Sequence, residues 1–355
     1  PLGLGILASL TPESWDVELV DENFTPFAYC DADLVGVTAF TSAANRAYEI
    51  AGTYRKQGVP VVMGGIHASM CSAEALQFAD AVVVGEAESV WAEVLADAES
   101  GQLTGLYHGD WLAPDRFASP RRDVYDDDYM FASVQTSRGC PLNCEFCSVT
   151  AYNGRRYRRR RVEDVLDELE SVPNELLFFV DDNIIGNGGA CRAQALELFK
   201  GMVARDMKMS WFCQASINVA DDPEVLDWAS RAGCRMIFIG IEAEDDDALN
   251  EVNKRLNLKK GTASYAQTFD RIHAAGIAVL GAFIFGMDSD TPESLRRRAE
   301  FMVNSDVDAM QLTTMTPLPG TRLFQRLEQE GRLLYTQFPD DWAHYDLTKL
   351  VHQPK

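Results

Sequence analysis

Hydrophobic and polar positions along the first hundred residues follow two different periods. Apolar residues recur every three or four positions over residues 43–57, which predicts an amphipathic helix that Gly58 ends, and a shorter helix is predicted at 73–78. Short apolar or alternating runs of strand length surround these helices at residues 15–20, 34–39, 59–63 and 81–84. This β-α-β-α-β order predicts a parallel, doubly wound sheet, whose ligands bind beyond the carboxyl ends of the strands.

The second half of the chain repeats the same alternation. Helical periodicity lies between the strand-like runs, as where Val162, Val165 and Leu169 share one face, and Thr291 before Pro292 predicts the start of a helix. Strands are predicted at residues 133–136, 176–180, 211–215, 236–241, 278–285 and 309–313. These six strand–helix units are too few to close an eight-stranded barrel.

Residues 104–130 have little periodicity, two prolines and an acidic run, and we interpret them as a linker. The predicted organisation is therefore an N-terminal domain at 1–103, the linker, a barrel at 131–334 and a C-terminal extension at 335–355. Because the chain opens at Pro1 inside a glycine-rich stretch, we expect a first strand to be missing, and we expect the C-terminal extension to be cut short.

Composition excludes several classes of protein. A content of 46% hydrophobic and 24% charged residues is ordinary for a globular protein. With 54 acidic and 32 basic residues, the net charge of −22 repels polyanions, so we do not expect nucleic-acid binding despite the arginine-rich run at 155–161. The longest apolar run, 277–287, is shorter than the roughly 18 residues of a membrane span, and no signal sequence precedes it, so we expect a cytoplasmic protein.

Three of the eight cysteines lie within eight residues, as Cys140, Cys144 and Cys147, on the loop after the first predicted barrel strand. Three thiolates this close can share a metal centre that keeps one position open, whereas a structural zinc site needs four ligands. A thioredoxin-like pair or half of a zinc knuckle would explain Cys144 and Cys147 alone, but not the third cysteine. The five remaining cysteines are single and form no disulfide framework.

At these residues the chain resembles the radical S-adenosylmethionine (SAM) superfamily, whose CxxxCx-aromatic-C signature has Phe146 in the aromatic place. The resemblance implies an open (β/α)6 partial TIM barrel and a [4Fe–4S] cluster on Cys140, Cys144 and Cys147. It also implies that carboxylates meet the amino group of SAM, a glutamate its ribose, a lysine its carboxylate and a glycine its adenine. The implied SAM-binding residues are Phe146, Asp181, Asp182, Gln214, Ser216, Glu242, Lys254 and Gly286.

The strand ends of the N-terminal half resemble the Rossmann-like cobalamin-binding domain that precedes the barrel in one large branch of this superfamily. The motifs are Val-Gly-Val-Thr, Gly-Gly-Ile-His and Gly-Glu-Ala-Glu, although each glycine alone is also typical of a simple turn. The DxHxxG motif, through which some such domains bind cobalt, is absent. The implied cobalamin-binding residues are Thr38, Thr41, Ser42, Gly64, Gly65, His67, Gly85 and Glu86, with His67 expected to form hydrogen bonds in its loop.

The resemblance implies a radical SAM enzyme that cleaves SAM reductively at the cluster to give a 5′-deoxyadenosyl radical, followed by cobalamin-dependent methylation of an unactivated carbon. Two alternatives stay open. One is a radical cyclisation, rearrangement or oxidation beside a non-methylating or vestigial cobalamin domain, and the other is a non-catalytic corrinoid or iron–sulfur sensor. The implied partners are a small-molecule substrate and a one-electron reductant such as flavodoxin or ferredoxin.

Overall fold

The computed structural model describes residues 1–186 and 188–355, which divide into two compact units. The first unit is Pro1–Tyr129, Ala151–Asn153 and Pro317–Asp346, and the second is Met130–Thr150, Gly154–Thr316 and Leu347–Lys355. Residues 317–334, predicted as part of the barrel, therefore belong to the first unit instead. No helix within the described residues is both long enough and apolar enough to cross a membrane.

Both units are built from short strands joined by helices, and the strands of the two main sheets are parallel, whereas Ser137–Arg138 and Arg158–Arg159 form a separate antiparallel pair. The strands are β1 (Val35–Thr38), β2 (Val61–Gly64), β3 (Ala81–Gly85), β4 (Gly105–Gly109), β5 (Ala132–Val134), β6 (Ser137–Arg138), β7 (Arg158–Arg159), β8 (Leu176–Phe179), β9 (Ser210–Ala215), β10 (Cys234–Glu242), β11 (Ala278–Phe285) and β12 (Ala309–Thr314).

The helices fall mainly between these strands, as the sequence predicts. The α-helices are α1 (Leu2–Leu10), α2 (Ala44–Lys56), α3 (Gly65–Met70), α4 (Ser72–Ala75), α5 (Trp91–Glu99), α6 (Val149–Tyr152), α7 (Val162–Glu170), α8 (Gly189–Ala204), α9 (Pro223–Arg231), α10 (Asp246–Glu251), α11 (Arg255–Lys260), α12 (Tyr265–Ala274), α13 (Pro292–Asn304) and α14 (Arg322–Gln329). The 3₁₀ helices are Thr41–Ala43, Ala87–Ser89, Pro114–Arg116, Ile217–Asp221, Thr262–Ser264 and Asp340–His344.

The sheet of the first unit is parallel, in the order β1-β2-β3-β4, and this order runs in one direction without the reversal of a doubly wound sheet. Strand β4 lies inside the predicted linker, so the linker prediction was wrong there. The strand left no sequence signal because only Tyr107 among its residues is buried. The strand predicted at 15–20 was also wrong, because that described segment alternates between half-buried and exposed side chains but pairs with no strand.

The sheet of the second unit confirms the six predicted barrel strands, which are parallel in the order β12-β11-β10-β9-β8-β5. In β5 and β8–β11 one face of this sheet is buried in the core, for example at Phe179 and Trp211, whereas the edge strand β12 has no buried residue. Residues that alternate with these along the strands, such as Phe178 and Phe212, are half-buried. The rings of Phe178 and Phe212 stack with their centroids 4.4 Å apart. The period of two therefore separates a covered outer face from an open inner one.

Helix starts in this unit follow their local sequence signals. Thr291 accepts a hydrogen bond from the backbone N–H of Ser294 at 3.1 Å, and Ser294 in turn accepts one from the backbone N–H of Thr291 at 2.8 Å. This capping box, followed by Pro292, starts α13 where the sequence predicts it. Asp222 and Asp245 cap α9 and α10 through their side chains alone, which accept hydrogen bonds from the backbone N–H groups of Val225 and Ala248.

Candidate active site

The cysteine loop is held at several points by backbone hydrogen bonds within the second unit. Gly139 has φ +89°, which turns the chain out of β6, and the backbone N–H of Cys140 then donates to the carbonyl of Gly154 at 3.2 Å. Farther along, the backbone N–H of Glu145 donates to the carbonyl of Val252 at 3.1 Å. The loop is thus fastened both to the segment that follows it and to the connection after β10.

The three cysteine thiols of this loop lie close enough to influence one another's ionisation. Burial, with only 8% and 9% of Cys140 and Cys144 exposed, leaves little water around them. Burial raises the pKa of Cys140, and it raises the pKa of Cys147 to about 12, with further upward contributions from the neighbouring thiols and from Asp182. Positive charge, such as that of bound iron, would favour the thiolate forms in this loop.

This donor set suits a cluster better than a single ion. Within residues 1–186 and 188–355, no group of three or more His, Cys, Asp or Glu side chains converges as one metal ion would require. In a four-iron cluster each thiolate binds a different iron, so the sulfur atoms need not converge on one point. The predicted assignment of Cys140, Cys144 and Cys147 remains a prediction that this geometry accommodates.

Glu242 and Lys254, predicted as separate SAM contacts, pair with each other. A bulge at the end of β10 places Glu242 at φ +66°, and its Oε1 lies 2.5 Å from Nζ of Lys254, with 7% and 13% of the side chains exposed. A Cβ at Gly240 would lie 2.4 Å from Oε1 of Glu242 and 2.5 Å from Nζ of Lys254, so a larger residue there would have to displace this pair. This pairing was not visible in the sequence, because it depends on the bulge.

Lys254 also faces the cysteine loop. Burial alone would lower its pKa, but the negative charge of Glu242 and, after it, that of Cys144 outweigh burial, and the net effect is to raise the pKa of Lys254. The ammonium group is therefore a fixed positive charge beside the thiols. It offsets part of the charge that three thiolates would concentrate in this buried loop.

The two aspartates after β8 have different environments. Asp181 is fully buried, and its carboxylate accepts hydrogen bonds from the backbone N–H and hydroxyl of Thr136, at 3.0 and 2.7 Å, and from the hydroxyl of Ser137. Asp182 is half-buried, and its charge raises the pKa values of Cys140 and Cys147. The strand alternation turns Asp181 toward the core and leaves Asp182 on the side of the cysteines. The contact of Asp181 with SAM remains a prediction, and its present hydrogen bonds are all with Thr136 and Ser137.

The remaining predicted SAM contacts lie at other strand ends. Gln214 and Ser216 are half-buried, and the hydroxyl of Ser216 accepts a hydrogen bond from the amide of buried Asn183 at 2.7 Å. Phe146 is half-buried within the cysteine loop. Gly286 has φ +88°, and a Cβ there would lie 2.7 Å from Cδ1 of Leu350, so this glycine is required by the chain itself.

Two residues that the sequence analysis missed hold the loops after β10 and β11. Arg298 is fully buried, forms ion pairs with Glu244 at 3.0 Å and Asp290 at 2.8 Å, and donates to the carbonyl of Ile284 at 2.8 Å. Its signal was an arginine on the buried face of α13, four residues from both Ser294 and Met302. Asp290 in turn accepts from the backbone N–H of Gly286 at 2.8 Å.

The second missed residue is Glu251, at the end of α10. Its two carboxylate oxygens accept hydrogen bonds from the backbone N–H groups of Asp288 and Ser289, each at 2.8 Å. Glu251 therefore ties the connection after β10 to the turn after β11. No sequence periodicity predicts this role of Glu251, because its partners are backbone groups far away in the sequence.

In the first unit, the glycines at the strand ends differ in how much space a side chain would have at each position. A Cβ at Gly65 would lie 2.2 Å from the hydroxyl oxygen of exposed Thr38, and one at Gly85 would lie 2.6 Å from the carbonyl of Gly109, so the chain itself requires both glycines. Gly64 has extended backbone at φ −153°, and a Cβ there would meet only ordinary contacts with Val83 at 3.9 Å. Protein packing does not explain Gly64, and there is open space beside it at the carboxyl end of β2.

His67 is buried in a hydrogen-bonded network, as expected of a residue that serves its loop. Its Nε2 lies 3.0 Å from the hydroxyl of Tyr48, and its Nδ1 lies 3.4 Å from the hydroxyl of buried Thr41. The Tyr48 hydroxyl donates to Glu74 at 2.7 Å, and the indole N–H of Trp342 donates to the same carboxylate at 2.9 Å. With both ring nitrogens engaged, His67 is poorly placed to bind cobalt.

Glu86 and Ser42, the last two predicted cobalamin contacts, differ in burial. Glu86 is buried, and its Oε2 accepts a hydrogen bond from the backbone N–H of Leu112 at 2.8 Å, so it fixes a loop of the first unit. Ser42 is exposed at the carboxyl end of β1. A ligand at this edge of the sheet would therefore meet Thr38, Ser42 and the space beside Gly64.

Known proteins share both halves of this arrangement. Residues 134–302 match the radical SAM superfamily, and residues 1–95 match the B12 binding domain family. The sequence is 30% identical over 378 residues to bacteriochlorophyllide d C-12(1)-methyltransferase of Chlorobaculum tepidum, covering 100% of this chain and 78% of that enzyme. It is also 30% identical to the hopanoid C-2 methylase of Rhodopseudomonas palustris, covering 94% of this chain and 65% of the methylase.

Solved structures agree on the fold. The radical S-adenosylmethionine methyltransferase TsrM from Kitasatospora setae, with cobalamin and a [4Fe–4S] cluster bound, superimposes with a TM-score of 0.78 at 19% identity, covering 100% of this chain and 79% of that one. The chain therefore belongs to the radical SAM superfamily, within the group of enzymes that carry an N-terminal B12-binding domain, and its cofactors are a [4Fe–4S] cluster, SAM and cobalamin.

Proposed function

We propose that this enzyme transfers a methyl group to an unactivated carbon of a small molecule. The observation that carries the proposal is the open space beside Gly64 at the edge of the first sheet, in a chain that also holds three cysteines on one loop, two of them buried. Space at this edge is where a parallel sheet of this kind receives a flat ligand. It favours a functional cobalamin site over a vestigial domain, and cobalamin is the methyl carrier that such a reaction needs.

When bound, the cluster and SAM supply a carbon-centred radical, and cobalamin supplies the methyl group. In this chain Cys140, Cys144 and Cys147 would hold the cluster, and Lys254 would balance the charge of their thiolates. Asp182 is the carboxylate that would pair with the amino group of SAM. These side chains would bind and orient the cofactors.

Residues farther from the cysteines would set the remaining contacts. The backbone of the Gly286 turn, at the carboxyl end of β11, would contact the adenine of SAM from a side other than the one that Leu350 occupies. Thr38 and Ser42 are exposed hydroxyl groups at the edge that would receive cobalamin, where they can hydrogen-bond amide groups of a corrin. The relatives named above act on bacteriochlorophyllide d and on a hopanoid, which supports a carbon acceptor in a small molecule.

The test is anaerobic reconstitution with iron, sulfide and hydroxocobalamin, followed by incubation with SAM labelled in its methyl group. Bacteriochlorophyllide d and a hopanoid serve as probe substrates, and deoxyadenosine and labelled product are measured separately. We expect deoxyadenosine to form and label to enter an acceptor. Deoxyadenosine formation with a converted but unlabelled acceptor would replace methyl transfer by a cyclisation, rearrangement or oxidation.

A further inference from the structure

Two exposed arginines lie directly beside the cysteine loop. Arg155 and Arg156 form the turn that follows Gly154, whose carbonyl accepts from the backbone N–H of Cys140 at 3.2 Å. The guanidinium of Arg155 donates to the carbonyl of Pro141 at 3.4 Å, so it lies against the residue that follows the first cysteine. We call these two residues the arginine turn.

The arginine turn differs in charge from the rest of the surface. The chain carries a net charge of −22, and several exposed arginines elsewhere are neutralised, such as Arg46 by Glu22 at 2.8 Å and Arg297 by Glu244 at 3.2 Å. Neither Arg155 nor Arg156 forms an ion pair with any carboxylate in the part of the chain that the structure describes. The turn is thus an uncompensated positive site on an acidic protein.

We propose that the arginine turn docks a small acidic protein that carries one low-potential electron to the cluster. This inference rests on the proposed function, because a cluster that cleaves SAM must be reduced by one electron from outside the chain. An acidic carrier would be repelled by most of this surface, so it needs a local positive site to approach. Charge complementarity at such a site mainly accelerates encounter and selects the orientation of docking.

The electron balance of the step is simple. The carrier's reduced centre loses one electron, and the cluster held by Cys140, Cys144 and Cys147 gains it. No proton or atom moves between the two proteins. Because Arg155 contacts Pro141 within the cysteine loop, a carrier bound at the turn would have a short path to the cluster ligands.

The experiment uses the reconstituted full chain and reduced ferredoxin, a strongly acidic carrier, and follows bleaching of the cluster absorbance in a stopped-flow instrument. At low salt, the Arg155→Glu/Arg156→Glu variant should be reduced about ten-fold or more slowly than the wild type, since electrostatic steering accelerates association by about ten-fold to a thousand-fold. Added salt screens the arginines together with the acidic surface, so it should bring the rates of the wild type and the variant together.

Two controls keep the result specific. Reduced methyl viologen, a small cation, should reduce the variant at least as fast as the wild type, which shows that the cluster itself is intact. Arg235→Glu reverses another exposed arginine, at the amino end of β10 and so at the opposite end of the barrel, and should leave the ferredoxin rate unchanged. If the double variant assembles less iron, Arg156→Glu, which removes no hydrogen bond of the described chain, gives the same comparison.

An unchanged ferredoxin rate in the arginine variants at low salt would overturn the proposal. An unchanged rate together with loss of bound cobalamin would assign the turn to the phosphate of the cobalamin tail and overturn it as well. The docking proposal and the proposed function fail separately. If viologen-driven turnover of the wild type gives an unlabelled product, methyl transfer is wrong, while the ferredoxin comparison still decides the docking site.

Discussion

Oε1 of Glu242 lies 2.5 Å from Nζ of Lys254, in a buried ion pair at the carboxyl end of β10. Removing only the cation leaves an uncompensated carboxylate away from water, which costs about 3–5 kcal/mol. We therefore expect Lys254→Met to lower the free energy of unfolding of the cofactor-free protein by that amount. The double variant Glu242→Gln/Lys254→Met should recover most of the loss, and denaturant titration of the three proteins measures both effects.

The same variants test whether the pair also serves SAM. A charge-assisted hydrogen bond contributes about 1.5–3 kcal/mol, so Lys254→Met should weaken SAM binding by about ten-fold or more, with the iron content after reconstitution unchanged. Anaerobic calorimetry measures the affinity. Equal stability of wild type and Lys254→Met would show that the pair is solvated, and equal SAM affinity would remove Lys254 from the SAM site.

Burial explains why the sequence predicted the barrel strands but not this pair. Side chains such as Phe179 and Trp211 are buried at alternate positions along their strands. Burial requires apolar residues at these positions, so the sequence shows a hydrophobic period of two. Strand β4 buries only Tyr107 and left no period to read. The pairing of Glu242 with Lys254 depends on a bulge, a property of the folded backbone that no side-chain pattern encodes.

The cysteine assignment gives a second prediction. Changing any one of Cys140, Cys144 and Cys147 to Ala removes a thiolate from a set that has none to spare, so brown absorbance and SAM cleavage should both be lost after reconstitution. Cys30→Ala is the matched control, because Cys30 is exposed and lies in the first unit. Iron content near the wild-type value in any of the three loop variants, with SAM cleavage retained, would contradict the assignment.

Substitutions at Gly64 and Gly65 distinguish a glycine that leaves room for a ligand from one that the folded chain itself requires. Gly64→Ala meets no close neighbour in an extended backbone, so it should fold with unchanged thermal stability but retain less cobalamin through gel filtration. Gly65→Ala would meet the Thr38 hydroxyl at φ +84° and should lower stability as well. Gly52→Ala, in α2 with no neighbour within 4 Å, is the control and should keep its cobalamin.

Wild-type cobalamin retention in Gly64→Ala would show that the space at the end of β2 is not used by the cofactor. A fall in thermal stability of that variant would instead show that the chain needs this glycine. Either result would remove the structural support that Gly64 gives to the proposed methyl transfer.

Glu251 is predicted to act on the SAM site only through the turn after β11. Glu251→Ala removes the acceptors of the Asp288 and Ser289 backbone N–H groups, each at 2.8 Å, so these two amides should exchange with solvent about ten-fold or more faster. Because the loosened turn begins at Gly286, SAM affinity should fall while iron content stays at the wild-type value. Hydrogen exchange measured by mass spectrometry over residues 286–290 reports the first effect directly.

Glu293→Ala is the matched control for this clamp, because Glu293 is an acidic residue of α13 with 76% of its side chain exposed and no contact with the turn. It should change neither amide exchange nor SAM affinity. Glu251→Gln keeps one carbonyl acceptor and should give an intermediate exchange rate, which a general loss of stability would not produce. If exchange accelerates in Glu251→Ala but SAM affinity is unchanged, the turn at Gly286 does not contact SAM, and the adenine contact must be assigned to another strand end.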